Sequence, residues 1–135
     1  MNYSGYIITI DGPAGAGKST VAKVLAKRLR FKYLDTGAIY RALTWKVINK
    51  SISFTSTAAL LRLVKHSSIK FKQPDSGTKV FLDGKNISKR IRTSDITNQV
   101  YHLAEQPQVR KAVLKIQRRL ASQNNFVTEG RDVGS

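Results

Sequence analysis

The sequence predicts an α/β fold: a parallel sheet core flanked by helices, with a small antiparallel hairpin inserted between helices. Three observations predict it. Tyr6-Ile7-Ile8-Thr9-Ile10 is a β-branched run that ends at Asp11-Gly12 and gives way, from Lys18, to apolar residues at helical spacing. Phe31 to Leu34 supplies a second short strand, closing a strand, helix, strand unit whose parallel crossover is right-handed in nearly all proteins. Further on, Ile69 and Phe71 alternate with Lys70 and Lys72, the period of a half-buried strand.

Each element has its own signal. In the first helix Val21, Val24, Leu25 and Leu29 recur at helical spacing, with Lys23, Lys27, Arg28 and Arg30 elsewhere on the cylinder, so these four apolar residues are expected to face the core. A second helix follows Asp35-Thr36-Gly37, with Ile39, Ala42, Leu43 and Val47 on one side. A third begins at the cap candidates Ser56 or Thr57 and carries Leu60, Leu63 and Val64. The hairpin turns at Pro74-Asp75-Ser76-Gly77 and returns through Val80 and Leu82 to Asp83-Gly84. Ile96, Val100 and Leu103 mark a helix that ends near Pro107, and Val109, Ala112, Val113, Ile116 and Leu120 mark a longer one. Phe126-Val127-Thr128 reads as one more core strand.

Composition bounds what this fold can be used for. The 135 residues form one modest domain, 1–135, in which about 60–100 looks like an inserted subdomain. With no cysteine there is neither a disulfide framework nor a thiolate zinc site, and no apolar run reaches the roughly 18 residues of a membrane span. A soluble cytoplasmic protein without a membrane partner is the expectation. The 24 Lys plus Arg against 8 Asp plus Glu give a formal charge of +16, which invites a nucleic-acid reading. Against it, the seven cations between Thr36 and Pro74 (Arg41, Lys46, Lys50, Arg62, Lys65, Lys70 and Lys72) are spread out rather than clustered, and Phe31, Tyr33, Phe71 and Phe81 sit in core-like strand patterns instead of interleaving along a basic stripe. Either a solvated positive surface or a field aimed at nucleotide phosphates accounts for them.

The most informative stretch is Gly12-Pro13-Ala14-Gly15-Ala16-Gly17-Lys18-Ser19, which fits G-x-x-x-x-G-K-[ST] after a strand and before a helix. Glycines let such a loop turn tightly around phosphate oxygens, and the helix starting near Lys18 adds the positive end of its dipole. Lys18 can reach the β and γ phosphates, and Ser19 offers a hydroxyl to Mg2+, a hard cation that takes oxygen donors. The alternative is a glycine-rich turn of no function. A phosphate loop alone leaves the phosphoryl acceptor open. The chain is too short for a motor, and a small-molecule kinase needs an acceptor site rich in cationic donors. Leu34-Asp35-Thr36-Gly37-Ala38-Ile39-Tyr40-Arg41 places a hydroxyl and an Arg after the second strand, where Arg41 could fork onto a monophosphate or stand as an ordinary helix residue. Arg110 and Asp132 have equally plain readings, as one basic residue of a helix and as a cap. His66 and His102 are expected at the surface, with no catalytic part.

Together these segments resemble the bacterial cytidylate kinases, a branch of the P-loop nucleoside monophosphate kinases. The resemblance rests on Ile8 to Ser19, Leu34 to Arg41, Ile91-Arg92-Thr93, Pro107-Gln108-Val109-Arg110 and Glu129-Gly130-Arg131-Asp132-Val133-Gly134, in family order. It implies transfer of the γ-phosphoryl of ATP, with Mg2+, to CMP or dCMP. It further implies that Gly12, Pro13, Ala14, Gly15, Ala16, Gly17, Lys18, Ser19 and Thr20 hold ATP, with Ser19 also on the metal. Thr36 and Arg41 would bind the acceptor near its phosphate, Arg110 and Asp132 would read cytosine, and Arg131 would add a phosphate contact. Lys18, Arg41 and Arg131 would carry the catalytic charge. The hairpin insert would be the monophosphate-binding subdomain.

Two departures accompany the resemblance. Tyr101 stands where relatives can carry a small hydroxyl residue, so its ring either fills part of the base pocket or turns to the core. After the Gly-Arg-Asp motif the family continues with further core strands and an arginine-bearing lid, so the C-terminal part of the core is expected to be absent. The first strand would then become an unpaired edge, with a risk of aggregation or pairing where a complete chain would be a monomer. A non-catalytic nucleotide-binding remnant is the alternative function, and a basic nucleic-acid-binding protein a distant one.

Overall fold

The computed structural model describes residues 6–11, 17–72, 78–122 and 124–130. Its order is β1 (Ile7–Asp11), α1 (Lys18–Leu29), β2 (Lys32–Leu34), α2 (Thr36–Asn49), α3 (Thr57–Lys65), β3 (Ile69–Lys72), β4 (Lys79–Leu82), β5 (Lys85–Asn86), a 3-10 turn (Arg90–Arg92), α4 (Ser94–Gln99), α5 (Tyr101–Ala104), α6 (Pro107–Ala121) and β6 (Phe126–Gly130). The α/β expectation holds. The chain divides into two units, one of residues 1–36 with 117–135 and one of residues 37–116, and α2 and α6 each run through a boundary.

In the first unit a parallel sheet has the order β1-β6-β2, so the last strand in sequence is the middle one. Ile7 pairs with Phe126 and Ile10 with Glu129, while Lys32 pairs with Phe126 and Leu34 with Thr128. Tyr6 N–H is tied to Asn125 Oδ1, and Lys32 N–H to the Asn125 carbonyl, fixing the entry to all three strands. One face of β6 packs a cluster of Ala22, Ala26, Tyr33 and Val127, with Ile8, Ile10, Leu25 and Phe31 partly buried against it.

That cluster corrects the expected inner face of α1. Val21 is 53% exposed, Val24 47% and Leu29 43%, whereas Ala22 and Ala26 are buried. Only Leu25 of the four expected residues joins the core. Two alanines one turn apart give the helix a flat stripe that can approach β-strand side chains closely, leaving the bulk of the facing residues to fill the layer.

In the second unit α2 buries Ala38, Ile39, Ala42, Leu43 and Val47, and α3 buries Leu60, Leu63 and Val64, as their spacing predicts. Ser56 occupies the N-cap of α3 but makes no side-chain capping bond. The inserted hairpin is a three-stranded antiparallel sheet, β3-β4-β5. The third strand escaped prediction because Lys85–Asn86 is two exposed polar residues with no alternation to read. Asp83 and Gly84 both have positive φ, 50° and 83°, as the tight turn between β4 and β5 demands. The expected turn at Pro74-Asp75-Ser76-Gly77 lies outside the described residues. Ile96 and Leu103 are buried as expected, but the single helix predicted around them is two short ones, α4 and α5, broken at Val100. The i to i−4 bonds from Val100 to Ile96 and from Ala104 to Val100 persist across the break.

One cation of the acid-free stretch is not solvated. Lys46 is only 8% exposed; its Nζ lies 2.6 Å from Asp83 Oδ2 and donates to Ser67 Oγ at 2.9 Å. Asp83 Oδ1 also accepts the Ser68 backbone N–H at 2.8 Å, so the pair fastens the β4–β5 turn to α2. Burial works against the Asp83 charge, but the bonds from Lys46 and Ser68 and the charges of Lys46 and Lys50 outweigh it and hold the carboxyl below its usual range.

Candidate functional site

The carboxyl ends of parallel strands are where α/β sheets bind ligands, because loops and helix N-termini gather there. In the first unit β1 and β6 end level, Asp11 opposite Gly130, with Glu129 one residue earlier. Gly17 caps α1 in the left-handed conformation, φ 75°, and a side chain there would meet nothing within 4 Å. Glycine is needed at that position for the backbone angle rather than for room. Lys18, Ser19 and Thr20 form the first turn of α1, whose free N–H groups and dipole favour an anion. Gly12 to Ala16, the rest of the phosphate-loop motif, lie outside the described residues, as do Arg131 and Asp132.

Alternation along β6 sends neighbouring side chains to opposite faces, and each face organises a different predicted residue. On the α1 face the Tyr33 hydroxyl donates to Glu129 Oε1 at 3.0 Å. Burial, with the neighbouring Asp35 and Glu129 charges, pushes the Tyr33 phenol well above its usual range; Ser19 pulls the other way without reversing it. Glu129 Oε2 is buried and, among the described residues, has no hydrogen-bond partner. A carboxylate oxygen left unpaired in the interior is expensive, which marks it as a group waiting for a donor or a cation. Ser19 Oγ and Glu129 Oε2 are hard oxygen donors of the kind Mg2+ takes, so the residues present fit that ion. Among the described residues no cluster of three His, Cys, Asp or Glu offers another metal site.

On the opposite face Thr36 is bound to Thr128, Oγ1 to Oγ1 at 3.1 Å, and accepts from Gln117 Nε2 at 3.2 Å. Thr128 spends its only proton on the Leu34 carbonyl at 2.8 Å, so Thr36 must be the donor between the two threonines. What Thr36 has left to offer is therefore a lone pair. Gln117 and Thr128, both buried, had no sequence signal beyond their polarity at core-facing positions. Glu129 stood inside the last motif and Tyr33 inside the second predicted strand, neither with a role; the available signal was an acid ending an apolar strand.

The remaining predicted residues belong to the second unit. Arg41 is half-buried on α2. Its neighbour Tyr40 has a phenol raised by burial and lowered in part by the charge of Arg110. Arg110, on α6, donates from Nη1 to the Ala104 and Glu105 carbonyls at 3.2 Å each, which caps the end of α5 and leaves its other N–H groups for a ligand. Tyr101 does not turn its ring to the core: it is 49% exposed, its ring 4.0 Å from that of His102, which in turn stacks on Phe54 at 4.8 Å. His66 is exposed, whereas His102 is half-buried by this stack. The same unit gathers Lys46, Lys50, Arg62 and His66 around an open cavity of about 530 Å³. No described helix is long and apolar enough to cross a membrane.

A parallel sheet whose first strand leads to a Gly-Lys-Ser-Thr helix start, with an acid and a hydroxyl pair at the adjoining strand ends, has the layout of the P-loop class of α/β proteins. The family model for cytidylate kinase matches residues 8–135. A cytidylate kinase of Exiguobacterium sp. is 44% identical over 128 residues, 95% of this chain and 57% of that protein. Those of Oceanobacillus iheyensis and Bacillus cereus are 42% and 44% identical over the same length, covering 56% and 57% of their own chains. The chain belongs to the cytidylate kinase family, and it spans somewhat more than half the length of these relatives.

Proposed function

We propose that the chain provides the nucleotide-binding front part of a nucleoside monophosphate kinase that passes the γ-phosphoryl of ATP to CMP or dCMP. The observation that carries the reading is the first turn of α1, Lys18-Ser19-Thr20, set behind a left-handed Gly17 next to the strands in which Tyr33 donates to Glu129. Gly12 to Thr20 hold the ATP phosphates, with Lys18 on the β and γ oxygens. When bound with ATP, Mg2+ would supply charge neutralisation between those oxygens, held by Ser19 and presented to the Glu129 carboxylate.

On the acceptor side Arg41 and Arg131 bind the monophosphate, as guanidinium forks suit phosphate oxygens. Arg110 and Asp132 read the base: a carboxylate accepts from the cytosine amine and rejects the carbonyl that uracil has in its place. Thr36 contributes a lone pair, so a contact from it to the phosphate would require withdrawing its proton from Thr128. The residues align and stabilise charge; no protein nucleophile is needed.

The test is a coupled assay for CDP formation from ATP and CMP, with UMP as competitor. Turnover that Lys18→Ala abolishes and in which Asp132→Ala narrows the CMP preference, by the 1–3 kcal/mol that about one base contact contributes, is the expected result. ATP binding without CDP formation would instead favour a nucleotide-binding role without catalysis. Retained activity in Lys18→Ala would remove the phosphate-loop assignment.

A further inference from the structure

A hydroxyl carries one proton and two lone pairs, so the partners it has within the protein decide which role it can play toward a ligand. Thr36, the first residue of α2, is half-buried, and both partners of its hydroxyl, Thr128 on β6 and Gln117 on α6, are buried. Strand register closes the order of donation. Leu34 lies beside Thr128 in the sheet, and its carbonyl takes the Thr128 proton at 2.8 Å. A carbonyl can only accept, so Thr128 presents an acceptor to Thr36, and the Thr36 proton goes there at 3.1 Å. The same order orients Gln117: with the Thr36 proton spent, the amide nitrogen must face Thr36, and it donates at 3.2 Å. One lone pair of Thr36 remains.

We propose that Thr128 and Gln117 are positioning residues that hold Thr36 as a hydrogen-bond acceptor, so that Thr36 receives a bond from a donor on the acceptor nucleotide, a sugar hydroxyl or the base amine, and does not hold its phosphate. The proposal rests on the reading above that Thr36 meets that nucleotide. Near pH 8 a monophosphate is a dianion that offers acceptor oxygens only, and a lone pair aimed at one of them repels it. Turning the Thr36 proton toward phosphate would leave the Thr128 oxygen without its donor. Thr128 is fully buried, so no water would replace that bond, and an orphaned polar atom there is costly. A sugar hydroxyl or an exocyclic amine needs no such rearrangement, because the acceptor is already turned to it. Valine at position 128 would match threonine in shape and strand preference and remove only the hydroxyl.

The experiment is calorimetric titration of the 135-residue chain with CMP near pH 8, as a double-mutant cycle. Thr36→Val should weaken binding about fivefold, the loss of one neutral hydrogen bond. Thr128→Val should weaken it about threefold in the parent and leave it unchanged in the Thr36→Val background, because it acts only through Thr36. Thr128→Ser, which keeps the acceptor, should bind as the parent does. Equal losses in the two backgrounds, or a Thr128→Ser as weak as Thr128→Val, show a merely structural threonine and overturn the positioning role. If Thr128→Val departs from the parent by circular dichroism, Gln117→Met enters the same cycle with the same expectation. Repeating the Thr36→Val comparison with 2′,3′-dideoxy-CMP and with the amine-free 2-pyrimidinone nucleotide identifies the donor, since the loss should vanish with whichever analogue lacks it. A loss undiminished with both analogues puts Thr36 on the phosphate and overturns the proposal. A parent chain that binds no CMP overturns the acceptor reading itself, and the proposal with it.

Discussion

Lys46 shows how a single residue's role depends on a partner far away in sequence. Its ammonium is nearly enclosed, and Asp83 and Ser67 satisfy it. Replacing it by methionine keeps the stem and removes the charge. Stripping one partner from a fully buried pair costs about 3–5 kcal/mol, but the Asp83 side chain remains 43% exposed, so water takes up much of the loss. Lys46→Met should therefore destabilise the protein by about 1–2 kcal/mol in urea unfolding. The pair also has a pH signature. The Asp83 carboxyl is held below its ordinary value of 3.8, so its contribution is complete above the unfolded-state pKa and disappears as pH falls through the lower folded value. Unfolding midpoints between pH 6 and pH 3 should fall more steeply in the parent than in Lys46→Met; parallel curves would count against the ion pair. The sequence displayed Lys46 as one of seven scattered cations, and nothing local told it apart from Lys50 or Lys65.

Among elements, α1 separates periodicity from packing most sharply. Its branched residues Val21, Val24 and Leu29 point outward while Ala22 and Ala26 meet the sheet. The two faces predict opposite mutational outcomes. Ala26→Leu forces extra methylenes into a closed layer and should cost about 1–3 kcal/mol. Val24→Ala, on the exposed face, should change stability by no more than about 0.5 kcal/mol. Denaturant midpoints with the reverse order would restore the face that hydropathy alone suggests. Alanine carries so little hydrophobic signal that a stripe of two is outvoted by three larger residues, though it is the small side chain that permits close approach. Where the core face is built from large residues, as Leu60, Leu63 and Val64 in α3 or Ile69 and Phe71 in β3, spacing located it correctly. The site followed the same rule: the Gly-Lys-Ser start of α1 was legible because its parts are contiguous, whereas Tyr33 to Glu129 and Thr36 to Thr128 join positions about ninety residues apart through strand register.

For the molecule as a whole, two opposed features meet at β1. Among the described residues it pairs on one side only, with β6, and its Ile7, Ile8 and Ile10 are only partly buried. Such an edge presents a row of backbone donors and acceptors to any second chain. The formal charge of +16 works against that encounter, because two copies repel. Salt decides which wins: the screening length falls from about 30 Å at ~0.01 M to about 10 Å at ~0.1 M and shorter beyond. Sedimentation velocity should accordingly find a single slow species at ~0.01 M NaCl and larger, concentration-dependent species at ~0.5 M, the reverse of the salt dependence of a nucleic-acid complex. Ile7→Lys, which sets a charge at the start of the edge, should suppress the larger species. A monomer at both salt concentrations, or association that Ile7→Lys leaves untouched, would show that β1 is not the adhesive surface. In the first case the repulsion between positively charged copies outweighs the open backbone row even when screened; in the second the copies meet through another surface.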